Sequence, residues 1–227
     1  MQTKTTLSKS PIKIEISLDN MPKPVRRVLL VPGDINFHRL NHVIISVFIW
    51  ENDSSYVFVD NVNRPKTKIG ELRGKNIPEN QNLLNPKRTY LQRSFLLKGK
   101  GAPFQYNYHH KYRWSHTITF QEITPEDLEK YDGKEVLLEY EGINPPENLG
   151  GAEAYRVFRE IVNNPKNALR DALLEFVDWT PQDLEEEDDS LHLSQWLEDL
   201  MEEYEDILED ERWERKHKRN QETIEVD

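Results

Sequence analysis

Ile12, Ile14, Ile16 and Leu18 alternate with Lys13, Glu15 and Ser17, the period of two that puts one face of a strand in a core and the other toward water. Met21 to Pro24 reads as a turn, so Val25 to Val31 becomes the hairpin partner, ended by Pro32-Gly33-Asp34. The period then changes. Phe37, Leu40, Val43, Ile44, Val47 and Phe48 recur three and four residues apart, which predicts an amphipathic helix over 36–49, with a short strand following at Tyr56 to Asp60.

Residues 61–87 are rich in Asn, Pro, Lys and Gly without a period and read as a long exposed excursion. Phe104, Tyr106 and Tyr108 then alternate, as do Trp114, His116, Ile118 and Phe120, with His109 to Arg113 between them: a strand hairpin with a basic tip. Thr124-Pro125-Glu126-Asp127 carries a capping hydroxyl, a proline at the first helical position and an acid at the third, so a short helix starts there, and Thr180-Pro181-Gln182-Asp183 repeats the chemistry. A strand is expected at 135–141. Tyr155, Phe158, Ile161 and Val162 predict a helix over 152–162, and Leu169, Ala172, Leu173 and Phe176 one over 166–177. Leu193, Trp196, Leu197, Leu200, Tyr204, Ile207 and Leu208 form a helical stripe, giving a last amphipathic helix over 191–214. The fold class is therefore α+β, a mainly antiparallel sheet with packed helices, divided into a body over 1–182 and an acidic helical extension over 183–227.

Charge sharpens that division. The net charge of −11 is segregated: residues 183–214 hold sixteen Asp or Glu against one Arg, and residues 64–113 hold twelve Lys or Arg against Glu71 and Glu79. A basic middle and an acidic end should attract at contact range, so the acidic helix is expected to compete for the surface around Lys98, Lys100, Lys111 and Arg113. There is no cysteine, which excludes disulfides, thiolate metal sites and thiol nucleophiles. No apolar run approaches the roughly 20 residues that cross a bilayer, and the polar start lacks a secretory signal. A cytoplasmic location without membrane contact is the expectation.

Five motifs occur in order: Pro24-Val25-Arg26-Arg27-Val28, Ile49-Trp50-Glu51 at a helix end, Phe104-x-Tyr106-x-Tyr108, Trp114-x-His116-x-Ile118 and Pro145-Pro146-Glu147-Asn148-Leu149-Gly150-Gly151. Over roughly 12–180 they resemble the plasmid pRiA-type ORF-three-like family, whose members also go by the name of transposon-passenger TnpR-like proteins. The resemblance implies an α+β domain of mobile and chromosomal elements with no settled activity. Where the family usually has an acidic turn, this chain has His109, His110, Lys111, Tyr112 and Arg113, so no metal is expected to be held by that turn.

His109, His110 and His116 can approach one another across a hairpin, but zinc spacing and a nearby acid are missing, which favours His116 as a core residue and an exposed turn at 109–110. Glu147 with Gly150-Gly151 before a helix suits an anion or simply a tight turn. Arg26 and Arg27 must point to opposite faces of a strand, one of them pairing with a carboxylate inside the fold. Lys111 and Arg113 beside Trp114, with Lys98 and Lys100 nearby, combine phosphate-neutralising cations with aromatic faces, whereas alternating aromatics also describe a core. Nucleic acid or an acidic protein is the partner this suggests. A helix-mediated assembly module, including a homo-oligomer through the 191–214 stripe, is the alternative. An enzyme is held in reserve, since no paired nucleophile and base is visible, and no cofactor or metal is expected.

Overall fold

The computed structural model of the chain describes residues 9–61, 63–72, 82–97, 99–108, 114–184 and 190–224, excepting the side chains of 190–193, 211 and 214–224. Seven strands form one antiparallel sheet: β1 Ile12–Leu18, β2 Arg26–Val31, β3 Tyr56–Val59, β4 Lys68–Glu71, β5 Phe104–Tyr108, β6 Trp114–Gln121 and β7 Val136–Glu141. Their order across the sheet is β4-β3-β5-β6-β1-β2-β7, so β4 and β7 are its two edges. β1 sits centrally, with Ile14 opposite Leu29 of β2 and Phe120 of β6, and its alternation sends all four of its apolar side chains into the core.

That core forms because helix α1, Phe37–Phe48, lies against the apolar face of the sheet. Asn36 caps it by accepting the Arg39 amide at 2.8 Å, and it stops where Ile49 turns left-handed at φ 55°, an unusual conformation for a β-branched residue. Nearly every residue of α1 is buried, more than an amphipathic helix on one sheet requires. The reason is a second cover: α5, Ser190–Ile224, packs on α1 and β7. α2, Pro125–Lys130, starts with the expected reciprocal cap between Thr124 and Asp127, and Asp127 also receives Lys13 Nζ at 2.8 Å from the outer face of β1. α3, Ala152–Val162, and α4, Arg170–Phe176, pair with each other.

Four expectations need correction. The 61–87 excursion contains β4, whose single apolar side chain, Ile69, is fully buried. Gly70 fits there because a Cβ would stand 2.1 Å from the Tyr56 carbonyl oxygen. The helix expected at 166–177 begins only at Arg170, since Asn164 and Asn167 hold the preceding residues in turns. At Thr180 the repeated cap, with the Thr180 amide donating to Asp183 at 2.5 Å, opens only a 3₁₀ turn at Gln182–Leu184. Among the described residues the inward arginine, Arg27, meets no carboxylate. It donates to the carbonyls of Arg26, Val47, Glu141 and Gly142 and to Asn144 Oδ1, with Tyr140 beneath its plane at 3.8 Å. Burial lowers the Arg27 pKa to about 10. The carboxylates, Glu139 and Glu141, go to the outward Arg26.

Candidate functional site

The hairpin aromatics share one face because β5 and β6 pair in register, Phe104 with Ile118, Tyr106 with His116 and Tyr108 with Trp114. All six side chains are buried. The polar tips of the outermost pair are consumed by the Pro-Pro-Glu loop. Trp114 Nε1 donates to the Glu147 carbonyl at 2.8 Å, and Tyr108 Oη donates to the Glu147 carboxylate at 2.7 Å. The Glu51 amide donates to the other carboxylate oxygen, and Trp50 Nε1 to the Pro145 carbonyl. Burial pushes the Glu147 carboxyl up, and burial together with Glu147 pushes the Tyr108 phenol up. Glu147 is thus a latch that closes this end of the core over Trp50.

His116 is fully buried against Phe48, Trp50 and Tyr106, with Nδ1 3.3 Å from the Tyr106 carbonyl. Burial lowers its pKa to about 3, so the ring is neutral, and among the described residues Nε2 has no hydrogen-bond partner. Neither Trp114 nor His116 has a surface to offer a base or a metal. His109, His110, Lys111, Arg113 and Lys98 lie outside the described residues.

Lys100 is exposed, in the turn that leads into β5. What does assemble is a basic edge. Arg64 and Lys66, in the β3–β4 loop, line a hollow of about 310 Å³ with Asp60, Phe95, Gly99 and Pro103. The Asp60 carboxylate there accepts the amides of Lys66 and Thr67 at 2.9 and 3.0 Å. Arg64, Lys66, Lys68, Lys87, Arg88, Arg93 and Lys100 are all exposed, with Lys87 and Arg88 on a 3₁₀ turn packed against β4. Beside the loop, the open face of the sheet carries a polar groove of about 450 Å³ lined by Lys68, Gln105, Asn107, Ser115, Asn20 and Asp19. Burial pushes the Asp19 carboxyl up although Thr117 donates to it at 2.8 Å.

The acidic helix docks on α1 and β7. Leu197, Met201 and Tyr204 are buried, and Tyr204 Oη lies 2.8 Å from His38 Nδ1, with the His42 ring 4.2 Å from the Tyr204 ring. Arg39 grips Glu135 through two hydrogen bonds of 2.6 and 2.9 Å and also binds Glu205, while Lys134 meets Glu202 at 3.8 Å. These contacts stand at the β7 edge, which β1 and β2 separate from β6. His38 and His42 were absent from the expected site. Their i, i+4 spacing on a helix already placed them on one face, but their partner is 166 residues further on. Among the described residues no group of three or more His, Asp or Glu could hold a metal ion, and no helix is long and apolar enough to cross a membrane.

The crystal structure of a protein of unknown function, MM3350, from Methanosarcina mazei Go1 superposes with a TM-score of 0.61 at 20% identity, covering 75% of this chain and 92% of that one, which supports the fold. An uncharacterised protein, y4hQ, of Sinorhizobium fredii is 25% identical over 170 residues, 74% of this chain and 80% of the relative. The model of the plasmid pRiA4b ORF-3-like proteins matches residues 10–188, a span that takes in all seven strands, the Arg27 cluster and the Glu147 latch, so the chain belongs to the plasmid pRiA4b ORF-3-like family.

Proposed function

We propose that the chain is a binding module, not an enzyme, and that it engages a phosphate-bearing polyanion of the nucleic-acid class along the β4 edge of its sheet. Its family is associated with mobile elements, a setting in which contact with nucleic acid is apt. The observation that carries the reading is the gathering of Arg64 and Lys66 around one hollow, with further exposed cations on the neighbouring turns. Cations so placed neutralise phosphates and release counterions, a gain that needs no exposed aromatic. The net charge of −11 opposes this only weakly. The two edges of a seven-stranded sheet stand about 29 Å apart at about 4.8 Å per strand, and salt screens charges beyond about 8 Å, so the acids at β7 leave the field at β4 largely intact.

The test is a fluorescence anisotropy titration of the full chain with labelled single-stranded DNA and RNA across a salt series. Saturable binding that weakens with salt is expected, and Arg64→Glu with Lys66→Glu should lower the slope of log affinity against log salt by roughly two. Both side chains are exposed, so the double variant should keep its fold. No saturable binding at low salt, or a double variant that binds as the parent does, contradicts the proposal.

A further inference from the structure

The apolar stripe of α5 divides into two sectors. Leu197, Met201 and Tyr204 face the body and are buried, with Leu208 packed beside them. At about 100° per residue, Trp196, Leu200 and Ile207 fall within about 40° of one another on a neighbouring sector that the body does not cover. Trp196 is 45% and Ile207 49% exposed, and Leu200 is half-buried. Asp199, Glu203, Asp206 and Asp210, all exposed, border this strip on the side away from α1.

From this arrangement we infer that the outward strip of α5 is a docking surface for a cationic amphipathic segment of another protein. Charge selects the occupant. A second copy would bring two segments of sixteen acids against one arginine face to face, and nucleic acid or an anionic lipid surface would meet the same repulsion. A segment with Lys or Arg beside Leu or Ile satisfies both halves of the strip at once. Its apolar side chains cover Trp196 and Ile207, and its cations pair with the acids along the border. A tryptophan at the centre of such a strip is the residue type that most often dominates binding energy. The strip lies beyond residue 188, where the family match ends. The surface is independent of the basic edge at β4.

The experiment uses the full chain and a labelled helical peptide of Leu and Lys in amphipathic order, with a control peptide of equal charge in which Ser replaces Leu. The first should bind one to one, and the Trp196→Ala, Ile207→Ala double variant should bind it about tenfold or more weakly. The control peptide should bind the parent and the variant alike, and weakly. Circular dichroism shows whether the variant keeps its helix, and Leu200→Ser, a milder change on the same strip, is a second probe that should weaken binding in the same direction. Equal binding of the peptide to parent and double variant overturns the inference, as does equal binding of the two peptides. Self-association by sedimentation that the double variant abolishes would overturn it in favour of a second copy.

Discussion

The β5–β6 hairpin and helix α5 read alike in sequence, aromatic side chains regularly interleaved with polar ones, yet the fold treats them in opposite ways. On the inner face of the hairpin Phe104, Tyr106, Tyr108 and Trp114 are buried and Phe120 is partly buried against them, because a strand has only two faces and α1 covers one of them. In α5 the apolar residues span a wider arc than a single partner can cover, so Tyr204 is 3% exposed and Trp196 45%. Periodicity tells which residues share a face. What covers the face depends on elements far away in sequence.

The sharpest way to break this comparison is to remove one tryptophan from each region. Trp114→Ala should destabilise the chain by about 3–5 kcal/mol, as a large aromatic leaving a filled core does, whereas Trp196→Ala should stay within about 0.5 kcal/mol; urea unfolding measures both. Equal effects would mean that the two regions are not different in kind.

A smaller effect concerns His116. Its folded pKa of about 3 lies below the ordinary 6.5, so between these values the unfolded chain binds a proton that the folded chain does not. Its contribution to stability is complete above pH 6.5 and is lost as the pH falls toward 3. Between pH 7 and pH 5 the loss should be about 2 kcal/mol. His116→Leu should remove that share of the pH dependence, read as the difference between parent and variant in urea midpoints at the two pH values. A variant as pH-sensitive as the parent would show that the ring is not held neutral. A smaller loss again is expected at the α5 contact, where Tyr204→Phe deletes the 2.8 Å bond to His38 and should cost about 1 kcal/mol, with more rapid amide exchange in 194–208.

Much of the fold was legible because period and cap agreed. β1, α1, β6 and the Thr124 cap lie close to their expected places for that reason. β4 escaped because an edge strand of four residues with one apolar side chain and a glycine has no period to detect. The Arg27 cluster was half legible. The pattern put one arginine inside, but an expected carboxylate turned out to be four carbonyls, an amide side chain and an aromatic ring supplied by segments up to 117 residues away. Of the expected site residues, Lys100 is exposed in the turn before β5, while Trp114 and His116 are core residues because β5 and β6 pair in register beneath α1. The basic edge arises through the pairing of β3 with both β4 and β5, which no local pattern encodes.

The central claim, that one region spends its aromatics on the core while the other keeps some of them outside, is tested most directly by the exchange of indole protons. In one NMR experiment on the full chain, the Nε1 protons of Trp114 and Trp50, donated to the carbonyls of Glu147 and Pro145, should exchange with deuterium far more slowly than that of Trp196. A Trp114 proton that exchanges as fast as that of Trp196, or a Trp196 proton protected as well as that of Trp114, would contradict the account.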